Sequence, residues 1–155
     1  MSEYDELGAL LEAFVNRASH PRGRALSFLH EASVTVPQVV LLNFALTIPD
    51  STPSKLSAIM QMSLPSVSQM IDRLVKLGLV RRGEDLQGRR RKTVAVTPKA
   101  HKLLSRLKAL RSAEYSAATT ALSPATRRRL SEALAIALTE LADLPASEIA
   151  EAATE

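Results

Sequence analysis

The sequence predicts a mainly α-helical chain with one small β-hairpin, and three observations carry that prediction. Apolar residues recur at helical spacing along most of the 155 residues. Proline stands just inside several expected helix starts, behind a serine or threonine. Only residues 79–96 hold short β-like runs around a glycine-containing loop, the pattern of a hairpin. The chain is 46% apolar, enough to bury a core. Its five aromatic residues (Tyr4, Phe14, Phe28, Phe44, Tyr115) make that core aliphatic. The length suits one ordinary domain and also admits two lobes sharing a core.

Leu7, Leu10, Leu11, Phe14 and Val15 follow the i, i+3, i+4, i+7, i+8 pattern of an amphipathic helix, broken at Pro21 and Gly23. The apolar run Leu26–Ala32 reads as either a short helix or a turn. Thr35-Val36-Pro37-Gln38 is a capping box with proline in the first turn, and its helix runs to about Ala45 or Leu46. Thr52-Pro53 opens a short helix with Leu56, Ile59 and Met60 on one face. After a break at Gln61-Met62, Ser63 caps another helix with Leu64, Val67, Met70, Ile71, Leu74 and Leu77 inward. Gly78 closes it. Leu79–Arg82 and Arg91–Val96 are the expected strands. Thr97-Pro98 starts a helix through Leu103, Leu104, Leu107 and Leu110 to about Ala121. Ser123-Pro124 starts the last one, with Leu130, Leu134, Leu138 and Leu141 on a stripe. The end of the chain, 146–155, is small and acidic and reads as a flexible tail.

Charge is unevenly spread. Residues 1–75 carry five Lys/Arg against seven Asp/Glu, residues 76–112 twelve against two, and residues 113–155 three against seven. The central segment is therefore net +10 in a chain that is +4 overall. Such a local excess attracts polyanions, of which nucleic acid is the commonest; a solvated basic surface is the plain alternative. There is no cysteine, which excludes disulfides, thiolate metal sites and thiol redox sensing. Only three histidines (His20, His30, His101) occur, without metal-ligand spacing. No nucleophile elbow or Gly-rich phosphate loop is present, so an enzyme is not expected, nor a cofactor. No apolar run approaches the length of a membrane span. The start, MSEYDELGAL, lacks the basic region of a signal peptide, and the expectation is a soluble cytoplasmic protein.

Two helices separated by about three residues form a helix-turn-helix, and the hairpin after them makes it winged. The second of these helices, Leu64–Leu77, would enter the DNA major groove. Pro65, Ser66, Ser68, Gln69 and Arg73 are its candidate DNA-facing residues, with Ser66, Gln69 and Arg73 on one stripe. Glutamine suits adenine and arginine suits guanine; hydroxyls suit a base or a phosphate. The same residues also read as the plain solvent face of an amphipathic helix. Thr52, Lys55, Ser63 and Lys76 are candidate phosphate contacts. Arg89, Arg90 and Arg91 lie at the hairpin tip and suit the narrow minor groove, where negative potential is enhanced.

The stretch LSAIMQMSLPSVSQMIDRLVKLGLV (56–80), with RR and then GRRRKTVAVTPKA after it, resembles the MarR family of bacterial regulators (multiple antibiotic resistance regulator). Asp72-Arg73-Leu74 and Gly78-Leu79 match its D-R-L-x-x-x-G-L core, and helix order extends the likeness over roughly residues 5–144. The chain departs from the pattern where Gly88 replaces the wing aspartate, Ala100 the junction glycine and Gln69 a common arginine. Arg90 holds the wing arginine position.

The resemblance implies an obligate homodimer. Residues 1–34 and 98–145 would form the helical dimerisation region and 35–97 the winged helix-turn-helix. Two-fold symmetry then implies a palindromic operator. The apolar stripes of the first and last helices call for a partner surface on their own account. The family often binds small aromatic, anionic or phenolic effectors, and His20, Arg22, Arg24, His30, Arg111 and Tyr115 are the candidates to meet one here. The same six also read as surface or inter-subunit polar groups. The expected partners are double-stranded DNA, a second copy and a small-molecule effector, with no membrane. The alternative is a winged helix used for protein or RNA contact without ligand control.

Overall fold

The computed structural model describes residues 3–18, 23–84 and 92–142. They form α1 (Glu3–Ala18), α2 (Arg24–Glu31), α3 (Val36–Thr47), α4 (Pro53–Ile59), α5 (Leu64–Lys76), β1 (Val80–Glu84), β2 (Lys92–Val96), α6 (Pro98–Thr119) and α7 (Pro124–Ala142). The chain divides into two compact units, Met1–Ala18 with Tyr115–Glu155, and Ser19–Glu114.

The Ser19–Glu114 unit holds the core. Leu41, Leu42, Leu56, Val67, Ile71 and Leu74 are fully buried, with Leu79, Val80, Val94 and Ala100 packed among them. Each buried Leu, Ile or Val side chain contributes about 1.5–3 kcal/mol on burial. The run at 26–32 resolves as helix as far as Glu31, with Ala32 as its C-cap and Ala25 and Leu29 buried. That helix lacks a side-chain cap of its own. Its N-terminus is instead met by the Glu114 carboxylate, which accepts from the Ala25 N–H at 3.0 Å across 89 residues of sequence.

The expected starts are made. The Thr35 N–H donates to Gln38 Oε1 at 2.9 Å, so the capping residue reaches back as its type predicts. Thr52 Oγ1 accepts from the Lys55 N–H at 3.2 Å, and Ser63 Oγ accepts from the Ser66 N–H at 3.3 Å. Between α4 and α5 the turn places Gln61 at φ 50°. Ser57 locks this turn. Its hydroxyl donates to the Met62 carbonyl at 2.6 Å, and its carbonyl accepts the Met62 N–H at 3.1 Å.

Gly78, at φ 70°, ends α5 in a left-handed residue. The Leu79 N–H returns to the Leu74 carbonyl and the Gly78 N–H to the Val75 carbonyl, both at 2.9 Å. This is a Schellman closure with two buried leucines across it. The chain then enters β1, antiparallel to β2 with Val80 opposite Val96 and Gly83 opposite Thr93. The Thr97 hydroxyl donates to the Gly78 carbonyl at 2.8 Å and accepts from the Ala100 N–H at 3.4 Å. One side chain thus fixes the end of α5, the foot of the hairpin and the start of α6. The Val94 N–H reaches the Ser51 carbonyl at 2.8 Å, tying β2 to the α3–α4 connection.

Three local expectations are corrected. Gly83 lies inside β1 rather than in the loop, because its missing side chain leaves room for Thr93 across the pair. Ile59 and Leu64 are exposed, not inward. Both stand at helix ends, Ile59 last in α4 and Leu64 first in α5, away from the turns that meet the core.

In the other unit, Ala18 is the one buried position among the described residues. The apolar stripes of α1 and α7 stand open: Leu7, Leu10, Leu11 and Val15 on α1, and Leu134, Leu138 and Leu141 on α7. No single helix among the described residues is long and apolar enough to cross a membrane.

Candidate nucleic-acid interface

α5 is amphipathic because its apolar residues fall at Val67, Ile71 and Leu74, which are all buried. The opposite face presents Pro65, Gln69, Asp72, Arg73 and Lys76 to solvent, with Ser66 and Ser68 half-buried. Gln69, Arg73 and Lys76 share one stripe at i, i+4 and i+7. Ser66 is less free than its position suggests: its hydroxyl lies 2.8 Å from that of Ser63, within the helix cap.

The acid on this face is Asp72, and it pairs with Arg82 of β1. Both side chains are largely open, at 59% and 37% exposure. A pair this exposed contributes at most about 1 kcal/mol to stability. Its consequences are electrostatic and geometric. It neutralises the carboxylate on an otherwise basic face, and it ties the first strand of the hairpin to the helix. Arg81, its neighbour in β1, is also exposed.

The phosphate-contact candidates have local partners. Thr52 and Ser63 accept backbone N–H groups, and Lys55 Nζ donates to the Pro49 carbonyl at 3.3 Å. Lys76 stays exposed on the α5 stripe. Arg89, Arg90 and Arg91, with Asp85 and Gly88, lie outside the described residues.

Two grooves open in the Ser19–Glu114 unit. The first, of about 580 Å³, is lined by Thr35, Gln38, Gln69, Met70, Asp72, Arg73 and Lys76. It joins the start of α3 to the exposed stripe of α5. The second, of about 420 Å³, lies between α2 and α6 and is lined by Arg24, Ser27, Phe28, Glu31, Arg106, Ala109 and Leu110. Two guanidinium groups beside an aromatic and an aliphatic wall suit a small anion with an apolar body, against one opposing carboxylate, Glu31.

Of the six candidate ligand residues, only Arg24 lines this second groove. His30 is exposed on α2 and Arg111 on α6, neither on its wall. Tyr115 belongs to the other unit, and His20 and Arg22 lie outside the described residues. The sequence reading missed Phe28 and Arg106, as well as Gln38, Asp72 with Arg82, and Glu114. Arg106 belongs to the basic segment 76–112, which offered a compositional hint and no more. Among the described residues, no cluster of three or more His, Asp or Glu is placed to hold a metal ion.

Residues 23–91 match the model of the MarR family. No curated protein sequence matches the chain. Solved structures do. RV1404 from Mycobacterium tuberculosis is similar at TM-score 0.70 and 24% identity, over 94% of this chain and 97% of that one. The transcriptional regulator Tm0710 from Thermotoga maritima is similar at TM-score 0.71 and 16% identity, over 89% and 92%. The MepR–DNA complex of S. aureus is similar at TM-score 0.60 and 18% identity, over 90% and 97%. At these identities the likeness establishes a shared fold, the winged helix with flanking helices.

Proposed function

We propose that this chain, whose residues 23–91 match the MarR family model, is a MarR-type homodimeric repressor that holds a palindromic operator and releases it when a small anionic ligand binds. MarR-family proteins are DNA-binding transcription regulators and not enzymes. The observation that carries the reading is the α5 stripe of Gln69, Arg73 and Lys76, open to solvent, with its one acid already paired to the hairpin.

In this reading α5 enters the major groove, with Pro65, Ser66, Ser68, Gln69 and Arg73 toward base edges. Lys76, Lys55 and the capped starts at Thr52 and Ser63 meet phosphates. Arg89, Arg90 and Arg91 reach the neighbouring minor groove. MepR, the neighbour solved with an oligodeoxyribonucleotide, supplies a precedent for this fold on DNA.

Residues 1–34 and 98–145 dimerise, 35–97 bind DNA, and 146–155 form a tail. The exposed leucines of α1 and α7 support the second copy, since Leu10 is 61% and Leu138 66% exposed on a single chain. A regulator of this kind works beside the chromosome, in the cytoplasm. The groove at Arg24, Phe28 and Arg106 is the best place for the ligand, a small carboxylate with an aromatic or aliphatic body.

Fluorescence anisotropy against mixed-sequence duplexes across a salt series tests the reading. Log affinity should fall linearly with log salt, and Arg90→Ala should flatten that slope by about one unit. Gln69→Ala should change base preference more than nonspecific affinity. Binding of double-stranded RNA as tightly as DNA, or no salt dependence at all, would sink the DNA reading.

A further inference from the structure

We infer that the groove between the start of α3 and the exposed stripe of α5 is a clamp for one DNA backbone phosphate, with Gln38 as its buried donor. The inference rests on the DNA-binding reading and adds α3 to an interface so far built from the start of α4, α5 and the hairpin.

Gln38 is the key residue. Its side chain is only 2% exposed, yet it lines an open groove of about 580 Å³. A backbone N–H can only donate, so the Thr35 N–H fixes which end of the amide faces it: Oε1, at 2.9 Å. The Nε2 hydrogens must then point elsewhere. Among the described residues no sealed polar side-chain atom lacks a partner. Nε2 makes no hydrogen bond of its own there, so it opens onto the groove. A donor held rigidly by a cap and presented at a cavity wall suits an acceptor that arrives from outside.

The surroundings give that acceptor its charge. The start of α3, a helix of 12 residues, brings its positive dipole end to the same groove, which Thr35 and Gln38 line. Arg73 and Lys76 form the facing wall with Gln69. Asp72 also lines the groove and is the one group that opposes an anion, but Arg82 neutralises it. The net field is positive. Gln69 and Arg73 of the proposed major-groove face, and Lys76, the proposed phosphate contact beside them, all line the groove. A strand that flanks α5 in the major groove therefore runs past Gln38. The ligand chemistry is a phosphate oxyanion, and this continuity assigns it to the DNA backbone rather than to free phosphate.

Two substitutions separate capping from anion contact. Gln38→Glu keeps an oxygen for the Thr35 N–H, since glutamate serves equally in a capping box, and replaces the donor with a negative charge. Thr35→Asp keeps or strengthens the N-cap at an exposed position and places a negative charge at the mouth of the groove. Each variant is titrated with a mixed-sequence duplex, because backbone contacts need no operator. The expected result is binding about tenfold weaker at low salt for each, with the gap closing as salt rises. Thr35→Asp should at the same time melt no lower than the parent, so stability and affinity move apart.

If Gln38→Glu fails to fold, Thr35→Asp decides alone. Inorganic phosphate, added at constant ionic strength, should not displace the duplex; displacement would make the groove a small-anion site and overturn the backbone assignment. Parent-like DNA affinity in a folded Thr35→Asp overturns the clamp and leaves the DNA reading standing. Failure of the parent protein to bind any duplex overturns both.

Discussion

Gly83→Ala probes the junction between helix and hairpin on which the interface depends. An ideal Cβ at Gly83 would lie 2.7 Å from Thr93 Oγ1, its cross-strand partner, far inside ordinary contact. Gly83 is not among the positive-φ residues, so alanine meets no backbone penalty there. Taken alone, replacing a strand glycine by alanine stabilises by about 0.5–1 kcal/mol. The contact opposes that gain. Thr93 must leave its rotamer, at about 0.5–1.5 kcal/mol, or the strands must part, at about 1–3 kcal/mol. The two terms nearly cancel if Thr93 turns to another rotamer, and a loss of about 1 kcal/mol is expected if the strands must part. Thr93→Ala removes the offending oxygen, so Gly83→Ala made in that background should be neutral or stabilising. Urea unfolding of the four proteins at one protomer concentration reads the coupling, expected near 1–2 kcal/mol. Because Asp72 and Arg82 connect the hairpin to α5, Gly83→Ala should weaken duplex binding as well, and Thr93→Ala should restore it. Zero coupling between Gly83→Ala and Thr93→Ala would refute the close approach.

Two further outcomes follow from exposure and backbone geometry. Leu138→Asp places a charge on the open α7 stripe, where the parent residue is 66% exposed, so it should spare the fold of a protomer and split the proposed dimer. Light scattering that still finds a dimer of parent affinity would remove α7 from the interface. Gln61→Gly relieves a left-handed residue at φ 50° in the turn before α5. The left-handed conformation costs a side chain about 1–2 kcal/mol and glycine's extra freedom returns part of it, so a gain of up to about 1 kcal/mol in unfolding free energy is expected. A clear destabilisation would mean that the Gln61 side chain makes a contact that matters more than its backbone.

What was legible in the sequence had a local cause. Thr35 with Gln38, Thr52 with Lys55, and Ser63 with Ser66 act over three residues, so their spacing alone located three helix starts. Gly78 was readable for the same reason, as a left-handed end two residues beyond the last helical one. The stripe on α5 followed from period alone. What was not legible depends on chain brought together from far away. Glu114 caps α2 from 89 residues on, and Thr97 joins the end of α5 to the start of α6. Nothing in the spacing of Arg24 and Arg106 puts them on one groove, and His30 and Arg111, equally polar, face elsewhere.

Gln38 belongs to both classes, which is why its second role was hidden. Its pattern announced a cap, and the cap is there. An amide has two ends, and satisfying the oxygen locally commits the nitrogen to whatever lies on the other side. That neighbour is the basic face of α5, brought alongside by packing and not by sequence. A glutamate would cap equally well and would repel an anion from the same position. The choice of glutamine over glutamate at this capping box is therefore a statement about the groove, and the Gln38→Glu titration asks that question directly.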